Sequence, residues 1–155
     1  MDGSHKTERQ KVGQFGENIC CGYLEYIGLK IIERNFSTKF GELDIVAKSS
    51  DKTLIFLEVK TMDERKDKEK PYEESYPLLF GNVNKYIRQS LIANEIDFTP
   101  EDQMSSKKIG NFKKISEWYA NKYDKLIGTN GYRLDLAAIT LLDNCISLRY
   151  YTNIF

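Results

Sequence analysis

Four residues whose types could do chemistry stand within two short stretches of the chain, Gly41-Glu42-Leu43-Asp44 and Leu54-Ile55-Phe56-Leu57-Glu58-Val59-Lys60. Read with period 2, both stretches are strands, and the Lys48-Ser49-Ser50-Asp51-Lys52 turn between them predicts a hairpin. That hairpin brings Asp44 opposite or diagonal to Glu58. Like charges facing across strands repel, so a divalent cation is the natural thing to place between them. A magnesium ion held by carboxylates neutralises a phosphate, acidifies a water and stabilises a leaving oxygen, which is what phosphodiester cleavage needs. Asp44 and Glu58 are then the metal carboxylates, with the main-chain carbonyl of Val59 as a further ligand. Lys60, two residues beyond Glu58 and on its face, aims its ammonium at the attacking water or at the charge developing on phosphorus. Glu17, from the preceding helix, and Glu42 are outer members that bind a second metal or orient a metal-bound water. The plainer reading of the same strand is a Lys60–Glu58 ion pair at its end.

The elements that must position these groups are legible in the periodicity. Leu54 and Phe56 share a face with Glu58 and Lys60, and Ile55, Leu57 and Val59 make the other, so this strand is apolar on both sides and central in its sheet. Val12, Phe15, Gly16, Ile19, Cys20, Tyr23, Leu24 and Ile27 recur at helical spacing and Gly28 ends the pattern, predicting a helix over 10–27 with Glu17 at the margin of its buried stripe. Strands are expected at 29–36, 42–47 and 54–60. A mixed-charge run from Asp63 to Lys70 follows, then a short helix over 83–94, a turn or helix start at 99–102, a helix over 108–123, and strands at 132–142 and 145–151. Arg133 and Asp135 in the penultimate strand read as a structural pair. The whole predicts one α/β domain over 1–155, a three-layer sandwich whose central mixed sheet is flanked by helices, with 1–10 flexible and 64–104 an extended connector.

Composition narrows the partners. With 23 basic and 23 acidic residues the chain carries no net charge, which argues against a protein that coats nucleic acid electrostatically. The stretch 105–125 is locally basic, with six lysines against two acids. Lys107, Lys108, Lys113 and Lys114 are therefore either a solvated helix face or a phosphate-contacting one. No apolar run approaches the roughly 20 residues that span a bilayer, and the polar start lacks a signal-peptide core, so the expectation is a cytoplasmic protein without membrane contact. The three cysteines, Cys20, Cys21 and Cys145, lack metal-site spacing and read as buried small hydrophobes. An apolar C-terminal end, Tyr150 to Phe155, offers a surface for a homodimer.

Gly13-Gln14-Phe15-Gly16-Glu17, Tyr23-Leu24 with Gly28, Glu33-Arg34-Asn35-Phe36, Gly41-Glu42-Leu43-Asp44, Phe56-Leu57-Glu58-Val59-Lys60 and Tyr132-Arg133-Leu134-Asp135 together resemble the YraN family of predicted endonucleases, distantly similar to archaeal Holliday junction resolvases. The match is close over 12–62 and looser over 105–155. The resemblance implies a restriction-endonuclease-like fold of the PD-(D/E)xK class, with Asp44, Glu58 and Lys60 on catalytic positions and Glu17 on the helix carboxylate of resolvase-like members. It also places Lys108 on a family lysine, a candidate DNA contact. Met62 departs from the arginine usual there, and 64–104 is longer than the usual connector. The leading expectation is a nuclease dependent on Mg2+ or Mn2+ that acts on DNA, branched or damaged DNA included. The alternatives are a nucleic-acid-binding module that keeps the fold with little catalysis, and a dimeric interaction scaffold.

Overall fold

The computed structural model describes residues 6–76, 87–89 and 104–154. Helix α1 (Glu8–Tyr26) begins two residues before its apolar repeat because Thr7 and Gln10 close a capping box. The Thr7 hydroxyl accepts from the Gln10 N–H at 3.2 Å, and the Gln10 side chain accepts from the Thr7 N–H at 2.8 Å. Glu8 to Gln10 thus form the first turn of the helix, and residues 1–5 lie outside the described range. The helix ends at Gly28, whose φ of +89° suits a residue without a side chain.

Strands β1 (Lys30–Thr38), β2 (Gly41–Lys48) and β3 (Leu54–Asp63) form the expected antiparallel meander. Helix α2 (Tyr72–Ser75) is a single turn, and strand β4 (Ile87–Gln89), helix α3 (Ser106–Lys122), strand β5 (Tyr132–Leu141) and strand β6 (Ile146–Tyr151) complete the order. The sheet runs β1-β2-β3-β5-β6-β4, with β3 parallel to β5 in unbroken register from Leu54 opposite Tyr132 to Asp63 opposite Leu141. Ile19, Cys20 and Leu24 of α1 pack on Ile45, Ile55, Leu57 and Ile139. Phe112, Ile115 and Tyr119 of α3 pack on Leu43, Val46, Leu54, Phe56 and Leu136 on the opposite face. The protein is therefore an α/β three-layer sandwich, and β3, apolar on both sides, is its centre. None of the helices among the described residues is long and apolar enough to cross a membrane.

Two expectations, the helix over 83–94 and three buried cysteines, need correction. Ile87–Gln89, inside the stretch expected to be helical, pairs in parallel with β6, whose free edge offers hydrogen-bonding groups that outweigh a weak helical pattern; the rest of 83–94, and the turn expected at 99–102, lie outside the described residues. The start of the connector packs against α1. Arg65, 4% exposed, pairs with Asp63 at 2.7 Å, donates to the Lys70 carbonyl at 2.7 Å and lies over Tyr72, which stacks on Phe15 of α1. The C-terminal end folds back onto its own sheet: Ile154 donates its N–H to the Leu134 carbonyl, and Tyr151 and Ile154 pack beside α3. Of the three cysteines, all free thiols, only Cys20 is fully buried.

Candidate active site

Period-2 alternation fails in β1 and β2 beside the site. In a regular strand residues two apart share a face, yet Arg34 reaches Asn18 of α1 at 2.8 Å while Phe36 packs its ring against Trp118, Tyr119 and Tyr123 of α3. Between them Asn35 has the left-handed φ of +53°, which turns the strand over. Strand β2 changes face at the matching point: Ile45 belongs to the α1 side and Leu43 to the α3 side, with Asp44 between. The β2–β3 ladder ends at Ile45 opposite Leu57. One step further, where Asp44 and Glu58 come opposite each other, an Asp44 side-chain oxygen replaces the main chain and accepts the Val59 N–H at 2.7 Å.

Asp44 and Glu58 therefore stand side by side, as the hairpin predicts. Glu58 is 3% exposed. Burial, and then the Glu58 charge, push the Asp44 carboxyl up to about 7 against the Val59 hydrogen bond, which pulls it down. Lys60 lies on the Glu58 face and donates to Glu58 Oε1 at 2.9 Å; burial lowers its affinity for the proton, and Glu58 opposes that. So the ion pair of the plainer sequence reading is present. It is not closed, because Lys108 from the first turn of α3 reaches the same oxygen at 2.5 Å. Ser105 starts α3 by capping the Lys108 N–H at 3.2 Å, and so fixes where that side chain leaves the helix.

The outer carboxylates are also brought in. Glu17 leans over the strand ends, as its marginal place on α1 predicts, and lies 3.6 Å from the Arg34 guanidinium. With its amide nitrogen assigned to the side that faces the two carboxylates, Asn35 donates to both Glu17 Oε2 (3.1 Å) and Glu42 Oε1 (3.2 Å), so one side chain ties the two together. Burial raises the Glu17 carboxyl, with the Asn35 and Arg34 contacts pulling the other way. What lets α1 come this close is Gly16: a Cβ there would sit 1.8 Å from Thr61 Oγ1, next to Lys60.

The four lysines proposed as one group are split. At about 100° per residue, Lys108 shares the stripe of Phe112 and Ile115, whereas Lys107 and Lys114 fall on one flank and Lys113 on the other. Lys107, Lys113 and Lys114 are exposed. Lys108, also exposed, lines a hollow of about 200 Å3 with Glu42, Glu58, Asn111 and Phe40. On the α1 side of β3 a larger cleft of about 880 Å3 is walled by Val59, Lys60, Thr61, Arg9, Lys11 and Tyr72, so Lys60 borders open space on that side.

A hard cation fits this donor set. Among the described residues no three His, Cys, Asp or Glu side chains converge as a ready metal cage, but two opposed carboxylates, one of them almost fully buried, suit an ion such as Mg2+ that keeps water and substrate oxygens in its shell. Sequence reasoning quoted Gly16, Arg34 and Asn35 only as parts of family motifs and gave them no role at the site. Their signal was an Arg-Asn pair inside a strand pattern, where asparagine is disfavoured unless it takes a left-handed conformation.

The model of the Uncharacterised protein family UPF0102 matches residues 16–139, a span that holds every group described above from Glu17 to Lys108. A UPF0102 protein of Syntrophomonas wolfei is 27% identical over 146 residues, covering 94% of this chain and 98% of its own. Shorter, closer matches join 56 residues to a UPF0102 protein of Corynebacterium efficiens (48% identical; 36% of this chain, 46% of the other) and 76 residues to one of Campylobacter concisus (43%; 49% and 59%). In those two the matched part spans about half of the relative. The chain belongs to the UPF0102 family.

Proposed function

We propose that the protein is a metal-dependent nuclease that hydrolyses phosphodiester bonds of DNA. The observation that carries this reading is the opposition of Asp44 and Glu58 at the opening of the β2–β3 hairpin, with Lys60 on the same face and at the wall of a cleft. Asp44, Glu58 and the Val59 carbonyl would hold Mg2+ or Mn2+, which when bound supplies charge neutralisation at the phosphate and a more acidic water. Val59 also orients Asp44 through its N–H. The Lys60 ammonium stands where it stabilises charge developing on the phosphate, and its lowered proton affinity suits it to exchange a proton with the water. Glu17 and Glu42, joined by Asn35, orient water at the outer edge of the site or hold a second ion.

The resemblance to PD-(D/E)xK nucleases supports this assignment, and its resolvase-like branch points to branched DNA, cut in the cytoplasm by a homodimer that presents one site to each of two strands. Exposed lysines of α3 would contact the flanking phosphates. The second reading, a binding module that cuts little, has one observation on its side: Glu58 is paired with two lysines. Cleavage of labelled single-strand, duplex, flap and four-way-junction DNA with Mg2+ or Mn2+ separates the two. Cutting that vanishes in Asp44→Ala, Glu58→Ala and Lys60→Ala supports the nuclease. A folded protein that binds these DNAs and cuts none supports the binding module.

A further inference from the structure

Two ammonium groups share one oxygen atom at the centre of the site. Lys60 and Lys108 both contact Glu58 Oε1, at 2.9 and 2.5 Å, while the Glu58 side chain is only 4% exposed. Like charges held this close repel, so the arrangement is relieved when one of them has somewhere else to go. The two are not equally free to leave. Lys60 springs from the central strand, two residues from Glu58, and its side chain is 22% exposed. Lys108 comes from the first turn of α3, its side chain is 46% exposed, and it borders the 200 Å3 hollow with Asn111 one turn on. A divalent ion beside Glu58 meets twice the repulsion from the Lys108 ammonium that a monovalent one meets. A protein cation therefore stands on the Glu58 oxygen that a metal held by Asp44 and Glu58 would need.

We infer that Lys108 is a positioning residue that couples nucleic-acid binding to metal binding: its ammonium occupies the cation's place at Glu58 and moves onto a backbone phosphate when nucleic acid arrives, leaving Glu58 to the metal. The inference rests on the reading of Asp44 and Glu58 as a metal centre. Its physical content is an exchange of partners. Lys108 trades a carboxylate for a phosphate, Glu58 trades an ammonium for a divalent ion, and each ligand binds more tightly when the other is present. This device keeps the metal centre poorly charged until a substrate phosphate is in reach.

Titration calorimetry with Mn2+ alone, on metal-free wild type, Lys108→Met, Lys108→Gln and Asp44→Ala, reads the exchange directly. Far-UV circular dichroism and Tm serve as the folding control. Removal of the competing ammonium raises Mn2+ affinity roughly tenfold in both Lys108 variants, an increase that damage to the site would not produce. A four-way DNA junction then raises Mn2+ affinity of the wild type and not of Lys108→Met. Unchanged or weakened Mn2+ binding in the Lys108 variants, with binding lost in Asp44→Ala, overturns the inference and leaves the metal centre standing. Absence of Mn2+ binding in the wild type and in both Lys108 variants, with and without the DNA junction, overturns both. An equal effect of DNA on wild type and Lys108→Met, or none on either, overturns the coupling.

Discussion

The molecule buries carboxylates in two places on the same sheet, and treats them in opposite ways. Asp135 on β5 is fully buried, and every contact it makes is with a donor: the Arg133 Nε at 3.0 Å, the Tyr150 hydroxyl at 2.7 Å and the Asn153 N–H at 2.8 Å. Among the described residues its hydrogen-bond partners are all donors. At the β2–β3 opening, Asp44 and Glu58 face one another, only one N–H reaches Asp44, and the cations on Glu58 are long lysine side chains, one of them nearly half exposed. A buried acid closed by fixed donors is a strut between elements. Two opposed acids covered by movable cations are what the proposed metal-centre reading requires, a carboxylate pair whose lysine partners can give way to a divalent ion.

The contrast can be broken at either end. The largest expected effect is at the strut: Asp135→Ala leaves Arg133, Tyr150 and the Asn153 N–H without their shared acceptor and destabilises the fold by about 3–5 kcal/mol, read as a fall in Tm of roughly 10 °C or more. At the candidate site the sign reverses. Because the Asp44 carboxyl is raised from an ordinary 3.8 to about 7, its contribution to stability is complete below pH 4 and is lost as pH climbs toward 7. Asp44→Asn keeps an acceptor for Val59 and removes the charge. It stabilises the metal-free protein at pH 8 by about 2 kcal/mol, after discount for the solvent that reaches the site, and flattens the rise of Tm seen on acidification of the wild type in chelator.

Smaller effects sharpen the boundary. Gly16→Ala gains helix propensity but drives a methyl into Thr61, for a net loss of about 1–2 kcal/mol. Since Glu17 is the next residue, the same change weakens the grip of Arg34 on Glu17, which an NMR titration of Glu17 detects as an altered midpoint. On the exposed flank of α3, the double change Lys107→Ala, Lys114→Ala shifts stability by less than about 0.5 kcal/mol, yet lowers the slope of log binding constant against log salt by about 2 if both touch phosphates. An unchanged slope returns these two lysines to a solvated face.

Legibility in the sequence followed the regularity of the backbone. Glu58 and Lys60 were placed correctly because β3 keeps strict alternation from Leu54 onward, and the turn at 48–52 is tight enough to set the register that brings in Asp44. The helix carrying Glu17 was readable from its apolar stripe. The left-handed Asn35 was not, since a single residue out of the strand conformation reverses every face that follows it, and its amide bridge from Glu17 to Glu42 depends on that reversal. Lys108 was singled out as a basic residue of α3, but its partner Glu58 lies 50 positions away across a layer, where local pattern carries no information. The buried Arg65 reads in the sequence as one more member of a charged run; only the meeting of Asp63, Ser75 and Tyr72 around it makes it internal.

The central claim is that the Asp44–Glu58 pair is incomplete without a divalent ion while the Asp135 pair is complete. Crystals of the protein soaked in Mn2+ and measured at the manganese absorption edge test it most directly. The account predicts an anomalous peak within coordination distance of both Asp44 and Glu58, at about 2.0–2.3 Å from oxygen, with none at Asp135. A saturating soak that leaves Lys60 and Lys108 on Glu58 and shows no peak between the two carboxylates would contradict it.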